Sequence, residues 1–576
     1  MKSFLRSNAT DFLLSFLTSF VMNLLFVYSL VKYKESVYLH LDELIWVKQV
    51  DFCGGNFFFF EQKWGLIVPL LCIMYPLKFF IPLYYFSILR IFIIFLEAFL
   101  LLKFLRLVFR KKSSIFFVYL SHFSGSMVGV NFIYFIARAI LGKTESFPSF
   151  YELIFNYIFD IPGDFLFWEL LRIFNPVYFM IFLIAFCIFF IKFLEQKKNR
   201  KYKFFAGLFL GFLFYSTVYW WLYVWLSVAL FLIYYVLRVR KDLKEIIEVI
   251  VIGMIVGIPA IVFNYWQLGI LQDGIKRAAM LIEVQDSLSL LVLPRGYIIF
   301  FIISFTAFLI ARNFSEKGVF LLISAFCGII LLFVEPLTGI YLQMAHHIWF
   351  MLKFFNRIVI GFFLEKVEDY SKVLAVILVF IMFVGFLISW SKFFVDKRNS
   401  YHNQDLSKIL QWINRSTDKK DVIVMEDISS SGYAQTEIIL SLTGRYVFHV
   451  YANYFSDLKD WEVFERFILK EKLLSSDISE ISKKNCSCLG LWDMAACFGL
   501  PKGLNISDFS SADSYFRYII EEAEKFLPNE RYIKSLMQKY RIDYVIRRKP
   551  KNQSETYLHP ITQIGDFYIY KFQFQE

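Results

Sequence analysis

No glycine-rich phosphate loop, Gly-x-Ser-x-Gly elbow or His-Glu-x-x-His pair occurs anywhere in the 576 residues. Nothing therefore points to a nucleotide hydrolase, and the energy for any reaction arrives with its substrate. There is no internal repeat of fixed period, no low-complexity linker and no coiled coil. A cleavable signal pattern is missing too: the first apolar run, Phe12 to Val31, is too long for the core of such a signal and lacks a small-residue cleavage site. That run reads as an uncleaved first membrane span.

What the chain has in excess is apolar surface. It is 58% hydrophobic, with 72 phenylalanines, against roughly 45–50% apolar residues in a soluble domain. Mean hydropathy is +0.55, as expected of an integral membrane protein. The net charge of +12 does not imply nucleic acid, because Lys and Arg gather at the ends of apolar segments. That placement sets topology rather than a binding stripe.

A hydrocarbon core takes about 20 apolar residues per helix, and loop charge sets direction. Lys2 and Arg6 put the N-terminus inside, so the first span, 11–32, leads out. Residues 65–77 read as an interfacial or re-entrant helix, followed by a break at Pro76-Leu-Lys78. Spans 81–110, 114–140 and 174–194 follow, with the acidic outer loop of Glu145, Glu152, Asp160, Asp164 and Glu169 between the last two. Phe204 to Leu237 is about 50 Å of helix at 1.5 Å per residue, too long for one crossing. With Lys197–Lys203 and Arg238–Lys244 at its two ends, it reads as a hairpin turning near 216–219. Spans 246–266, 295–312, 318–336, 347–364 and 372–395 complete about eleven. The aromatic run Tyr215 to Trp225 is expected to face lipid and other spans, with a groove for an isoprenoid tail as the alternative.

Composition changes abruptly after Phe394, which separates a multi-span domain, 1–399, from a polar tail, 400–576. Asp421-Val-Ile-Val-Met425 and Ile542-Asp-Tyr-Val-Ile546 read as strands, Asp460 to Leu474 and Arg531 to Tyr540 as helices. Strands alternating with helices predict a small α/β domain on the outer side. Glu426-Asp427, after a strand, reads as a turn. Cys72, Cys187 and Cys327 lie in apolar runs and read as packing residues. Cys486, Cys488 and Cys497 cluster in the tail without a nearby histidine, so a disulfide is more economical than zinc.

The chemistry centres on Asp42 and Glu43, adjacent carboxylates about ten residues beyond the first span. They place acid/base or metal-binding oxygens at the membrane face, where lipid-linked substrates present headgroups. Glycosyl transfer from a lipid phosphate needs a base for the acceptor hydroxyl and cations for the departing phosphate. Asp42 is the expected base. Glu43 is its neighbour, and the pair can hold a divalent cation, Mg2+ or Mn2+. The competing reading is that they cap a helix beginning at Leu44. His346 and His347, at the outer end of the ninth span, are candidates for phosphate or metal contact. Arg172, Arg295 and Arg357 are candidates for phosphate, since Arg grips it bidentately and ionisable groups at membrane depth often mark substrate paths. Snorkelling to headgroups competes for Arg172 and Arg295, and pairing with Glu335 for Arg357.

The chain resembles the GT-C glycosyltransferases: many spans, an inner N-terminus, an acidic pair in the first outer loop and an interfacial helix after it. Arg172-Ile-Phe-Asn-Pro176 and Leu337-Thr-Gly-Ile-Tyr-Leu-Gln-Met-Ala-His346 look like stretches of poorly characterised prokaryotic members. The resemblance covers residues 1–400. It implies an inverting transferase of the plasma membrane that takes a sugar from a polyprenyl-phosphate or -diphosphate donor. The acceptor is a glycan, lipid or protein at the outer face, and no nucleic acid takes part. Trp220-Trp221 is followed by Leu-Tyr, not by the aspartate of oligosaccharyltransferases, so en bloc transfer is not implied. A transporter or flippase of lipid-linked sugars and a surface-glycan ligase or polymerase are the other readings.

Overall fold

The computed structural model describes residues 2–24, 27, 50, 53–54, 68–81, 88–124, 177–239, 242–270, 282–283, 295–334, 340–341, 344–397, 404–426, 440, 443–449, 458–474, 498–504, 508–509 and 511–573. The chain separates into two units. One comprises Met1–Leu39, Ser87–Val262 and Glu283–Tyr401; the other comprises His40–Phe86, Phe263–Ile282 and His402–Glu576.

Among the described residues, eleven α-helices precede residue 400: α1 (Lys2–Met22), α2 (Leu89–Val108), α3 (Lys112–Ser124), α4 (Phe179–Glu195), α5 (Arg200–Phe212), α6 (Val218–Tyr234), α7 (Leu243–Ile270), α8 (Arg295–Ala311), α9 (Glu316–Leu332), α10 (Met344–Tyr370) and α11 (Lys372–Lys397). Each falls within or against a segment whose hydropathy called for a span. Two stretches, Val218–Val239 and Leu243–Gln267, are long and apolar enough to cross a membrane. Charge interrupts several others, as Arg90, Glu97, Lys103 and Arg106 do in α2.

The long apolar stretch breaks where its length requires, at Ser216-Thr217 between α5 and α6. Lys197, just before α5, donates to the Tyr235 hydroxyl just beyond α6 at 2.6 Å. The two arms therefore form a hairpin with their basic ends together. Within it Tyr219, Trp220 and Tyr223 are buried, and the Tyr223 hydroxyl donates to Ser324 O at 2.6 Å. The middle of the aromatic run is core rather than lipid surface.

Ion pairs join the same ends of many helices. Asp11 of α1 accepts from Lys103 and Arg106 at the end of α2. Lys317, opening α9, bonds Leu107 O and Glu195 at the ends of α2 and α4. Lys197 meets Glu316 at 2.7 Å, and Lys203 of α5 pairs with Glu245 and Glu248 of α7. Glu365 and Glu368 of α10 accept from Arg110 N, Lys111 N and Ser113 Oγ around the start of α3, a favourable place for carboxylates. These contacts tie α1, α2, α4, α5, α7, α9 and α10, with the start of α3, to their neighbours. Helix flanks are bare and apolar: Phe12, Phe16 and Phe20 on α1, Ile255 and Val262 on α7, Val373 and Phe380 on α11.

Close packing of α5 on α7 depends on glycines. A Cβ at Gly211 would lie 2.6 Å from Val256 Cβ and 2.7 Å from Gly253 O. Gly207-x-x-x-Gly211 faces Gly253-x-x-x-Gly257, the small-residue spacing that lets membrane helices approach.

The second unit includes a 3-10 helix, Pro69–Phe79, close to the interfacial helix expected from sequence. It continues through Pro76 instead of breaking there. Cys72 is not a packing residue: it forms a disulfide with Cys53, and the Tyr75 ring lies over Gly54. Cys187 and Cys327 are free and buried as expected; Cys486, Cys488 and Cys497 lie outside the described residues.

The tail is an α/β domain, as predicted. Its sheet has β1 (Val422–Met425), β2 (Tyr446–Val447), β3 (Tyr544–Arg547), β4 (Leu558–Ile564) and β5 (Phe567–Phe572) in the order β2-β1-β3-β5-β4. β1 is parallel to β2 and β3; β5 is antiparallel to β3 and β4. Val422, Val424 and Val545 enter a core with α13 (Asp460–Leu474), α14 (Ala512–Phe526) and α15 (Glu530–Lys539). Side chains alternate along a strand, so Tyr544 turns to the other face, where its ring meets Trp412 of α12 (Gln404–Ser416) edge-on. Arg445 closes the end of α12, donating to Ile413 O, Asn414 O and Thr417 O. Buried Arg547 grips Glu555 bidentately at 2.9 and 2.6 Å.

Two outcomes are expected. Gly211→Val should separate α5 from α7 and destabilise the protein by about 1–3 kcal/mol, with a smaller loss for Gly211→Ala; thermal melts in detergent measure both. In the tail, burial, reinforced by the charges of Asp543 and Asp418, holds the Asp421 carboxyl above its ordinary value. A raised carboxyl gives stability that is lost as pH rises through the folded value. Asp421→Asn should therefore raise the melting temperature of this domain at pH 7, and the gain should vanish at about pH 3, where both forms are neutral. A fluorophore placed in residues 402–573 of the full-length protein follows it.

Candidate functional site

α10 carries three of the candidate residues. The sequence before it contains Pro336 and Gly339, poor helix formers, and the helix opens at Met344. His346 and His347 therefore belong to the first turn of α10, not to the end of the preceding helix as the sequence suggested. Arg357 lies three turns further on, at the helical position that returns to the face of residue 346. It is buried, as are Lys353 and Asn356. The Asn356 amide donates to Leu352 O at 2.8 Å, and Ser304 of α8 contacts Asn356 O at 3.5 Å. Three polar residues within five positions of a buried helix segment are costly unless they serve structure or ligand.

The remaining candidates lie wholly or in their side chains outside the described residues. Asp42, Glu43 and Arg172 lie outside the described residues, as does Glu335, the suggested partner of Arg357. Arg295 opens α8, but its side chain and those of His346 and His347 are outside the description. Among the described residues no three of His, Cys, Asp and Glu converge as a metal site would need.

Sequence reasoning missed a buried carboxylate–imidazole pair. Glu97 of α2 and His122 of α3 are both buried, with Oε1 and Nε2 3.0 Å apart. The rings of Phe123 and Phe354 enclose the imidazole, and its Nδ1 has no hydrogen-bond partner among the described residues. If Glu97 accepts the Nε2 proton, Nδ1 becomes the basic nitrogen. Nearby, the Tyr119 hydroxyl donates to Thr18 Oγ1 at 2.8 Å, and Ser19 Oγ donates to Ile91 O at 2.6 Å. The available signal was Glu97 itself, a lone acid inside Leu89–Leu102. Its partner, 25 positions away, could not be read from sequence.

In the second unit, the 3-10 helix exposes Ile73, Phe79 and Phe80. Residues three apart eclipse in such a helix, so Ile73, Pro76 and Phe79 form one apolar ridge. At the ends of β1 and β3, Glu426 accepts from Arg548 N at 2.7 Å and pairs with its guanidinium at 3.4 Å. Glu426 is thus engaged rather than a free acid, and Asp427, the second residue of the expected turn, lies outside the described residues. No protein-family model matches the chain, and no curated protein matches it.

The buried pair yields a clear expectation. Removing one partner of a buried ion pair typically costs about 3–5 kcal/mol, whereas replacing both by apolar residues is far less damaging. Glu97→Ala should lower the melting temperature strongly, and Glu97→Leu with His122→Leu should recover most of the loss. Unchanged melting of Glu97→Ala in detergent would contradict this account of the pair.

Proposed function

We propose that the protein is a multi-span membrane glycosyltransferase. It transfers a sugar from a polyprenyl-phosphate or -diphosphate donor to a glycan, lipid or protein acceptor at the outer face of the plasma membrane. The observation that carries the reading is the composition of the second unit. Each of its three pieces, 40–86, 263–282 and 402–576, includes a stretch that charge bias assigns to the outer side, while the acidic outer loop of Glu145 to Glu169 falls in the first unit. A disulfide at Cys53–Cys72 suits an oxidising compartment. Ion-paired charges near helix ends, with bare apolar flanks, suit about eleven crossings with the N-terminus inside.

In this reaction Asp42 takes the proton of the acceptor hydroxyl while its oxygen attacks the anomeric carbon. The bond from that carbon to the phosphate oxygen breaks, with inversion, and polyprenyl phosphate leaves. Glu43 assists Asp42, directly or as a ligand to a divalent cation. Arg172, Arg295 and Arg357, with His346 and His347, hold the phosphate charge. The α/β domain selects the acceptor.

The buried Glu97–His122 pair favours a second reading, a transporter or flippase of lipid-linked sugars, because such pairs line proton and substrate paths in membranes. One experiment separates the two. Purified protein is given a polyprenyl-phosphate sugar, and transfer rate and donor affinity are measured. Asp42→Asn should lower the rate by about 10²–10⁴-fold with donor binding retained, while Arg357→Ala should weaken donor binding. A fully active Asp42→Asn protein would reject the base assignment and leave transport as the better reading.

A further inference from the structure

Lys197–Lys203 and Arg238–Lys244 read in sequence as markers of sidedness. The fold brings them to one corner, where α5 and α7 begin and α6 ends. The acids there are already engaged: Glu245 and Glu248 with Lys203, Glu316 and Asp242 with Lys197, and Glu195 with Lys317. Five further cations, Lys198, Arg200, Lys201, Arg238 and Lys244, remain solvent-exposed. Arg200 and Lys244 add to the field on Glu248, but no ion pair with a carboxylate occupies any of the five among the described residues. The corner carries surplus positive charge.

Two open clefts meet there. The first, about 500 Å³, is polar; Glu195, Lys197, Lys198, Asn199 and Asp242 line it. It opens at the N-terminal ends of α5 and α7, whose unpaired N–H groups and dipoles favour an anion. The second, about 680 Å³, begins at the next residue of α7 and is lined by Leu243, Lys244, Ile247, Glu248, Val251 and Ile252. Leu243, Ile247 and Val251 are spaced four apart on one helix face, and Ile247 and Val251 are exposed. A polar cleft edged by surplus cations, next along the chain to an apolar helix face, matches a molecule with an anionic head and a hydrocarbon tail.

We infer that this corner binds an anionic phospholipid of the inner leaflet. Its phosphate lies among Lys198, Arg200, Lys201 and Lys244, and its acyl chain follows Leu243, Ile247 and Val251. The inference rests on the membrane-spanning reading but not on sugar transfer. Basic pockets between spans on the cytoplasmic side recognise lipid headgroups in this way. Occupancy would clamp α5 to α7 at the end where only Lys203 joins them by ion pairs.

The test uses full-length protein in detergent, titrated with dioleoylphosphatidylglycerol or dioleoylphosphatidylcholine and read by native mass spectrometry. Wild type should retain phosphatidylglycerol at least about fivefold more tightly than phosphatidylcholine. Neutralising the corner (K198Q, R200Q, K201Q and K244Q together) should abolish that preference, and the charge-preserving set K198R, K201R and K244R should keep it. Ile247→Asn should weaken phosphatidylglycerol while leaving any binding of glycerol phosphate unchanged. The inference is overturned if wild type shows no preference, or if the neutralised protein, with a native melting profile, keeps it. Full displacement of the lipid by equimolar glycerol phosphate would also overturn it, since the corner would then be a site for free phosphate. Because the readout is lipid retention, failure here leaves the transfer reaction untouched, and failure of transfer leaves this test intact.

Discussion

Charged groups cannot be left bare beside hydrocarbon, and that constraint orders the helices of residues 2–397. Many of these segments carry Lys, Arg, Asp or Glu near an end, and the fold joins several of those charges to one another. Asp11 holds α1 to α2, Lys317 holds α9 to α2 and α4, and Lys203 holds α5 to α7. Exposed ion pairs add little stability individually. Their effect here is one of register: a helix that slid by one turn would draw a charge into the apolar layer, where it is far more costly than in water. Close packing can then act on helices already in depth alignment, as where Gly207 and Gly211 receive Ile252 and Val256.

The same cost makes the buried polar groups informative. Glu97 meets Nε2 of His122, Asn356 bonds its own helix, and Tyr119 bonds Thr18. Such groups weaken an apolar core relative to leucine unless they fix a unique arrangement or meet a ligand. Arg357 is buried on the same helix as Lys353 and Asn356, so three polar side chains share one buried helix segment. The tail follows the opposite logic. Its central strands β1 and β3 are buried, while the edge strand β4 is largely exposed, and its own charges, such as Arg547 with Glu555, close loops instead of setting depth.

Much of this was legible in the sequence. The strands at 422–425 and 544–547, the helix at 460–474 and the break between α5 and α6 fall where apolar period and segment length placed them. Local signals suffice there, because a period-2 strand or an over-long apolar run has few alternatives. Cys72 was misread because an apolar neighbourhood says nothing about a partner 19 residues away. The 3-10 helix ran past Pro76 because its face is fixed by the disulfide and by Tyr75 over Gly54, neither of which is a local property.

The sequence alone determined the class of chain: long apolar helical segments, two of them among the described residues of membrane length, and then a polar α/β tail. Each follows from transfer free energy summed along a contiguous stretch, which needs no knowledge of neighbours. The tertiary structure decided which charges meet. It paired Glu97 with His122, closed Cys53 on Cys72, and gathered Lys198, Arg200, Arg238 and Lys244 at one corner between two clefts. Those outcomes depend on distance between residues far apart in the chain, and side-chain chemistry acts only over a few ångströms.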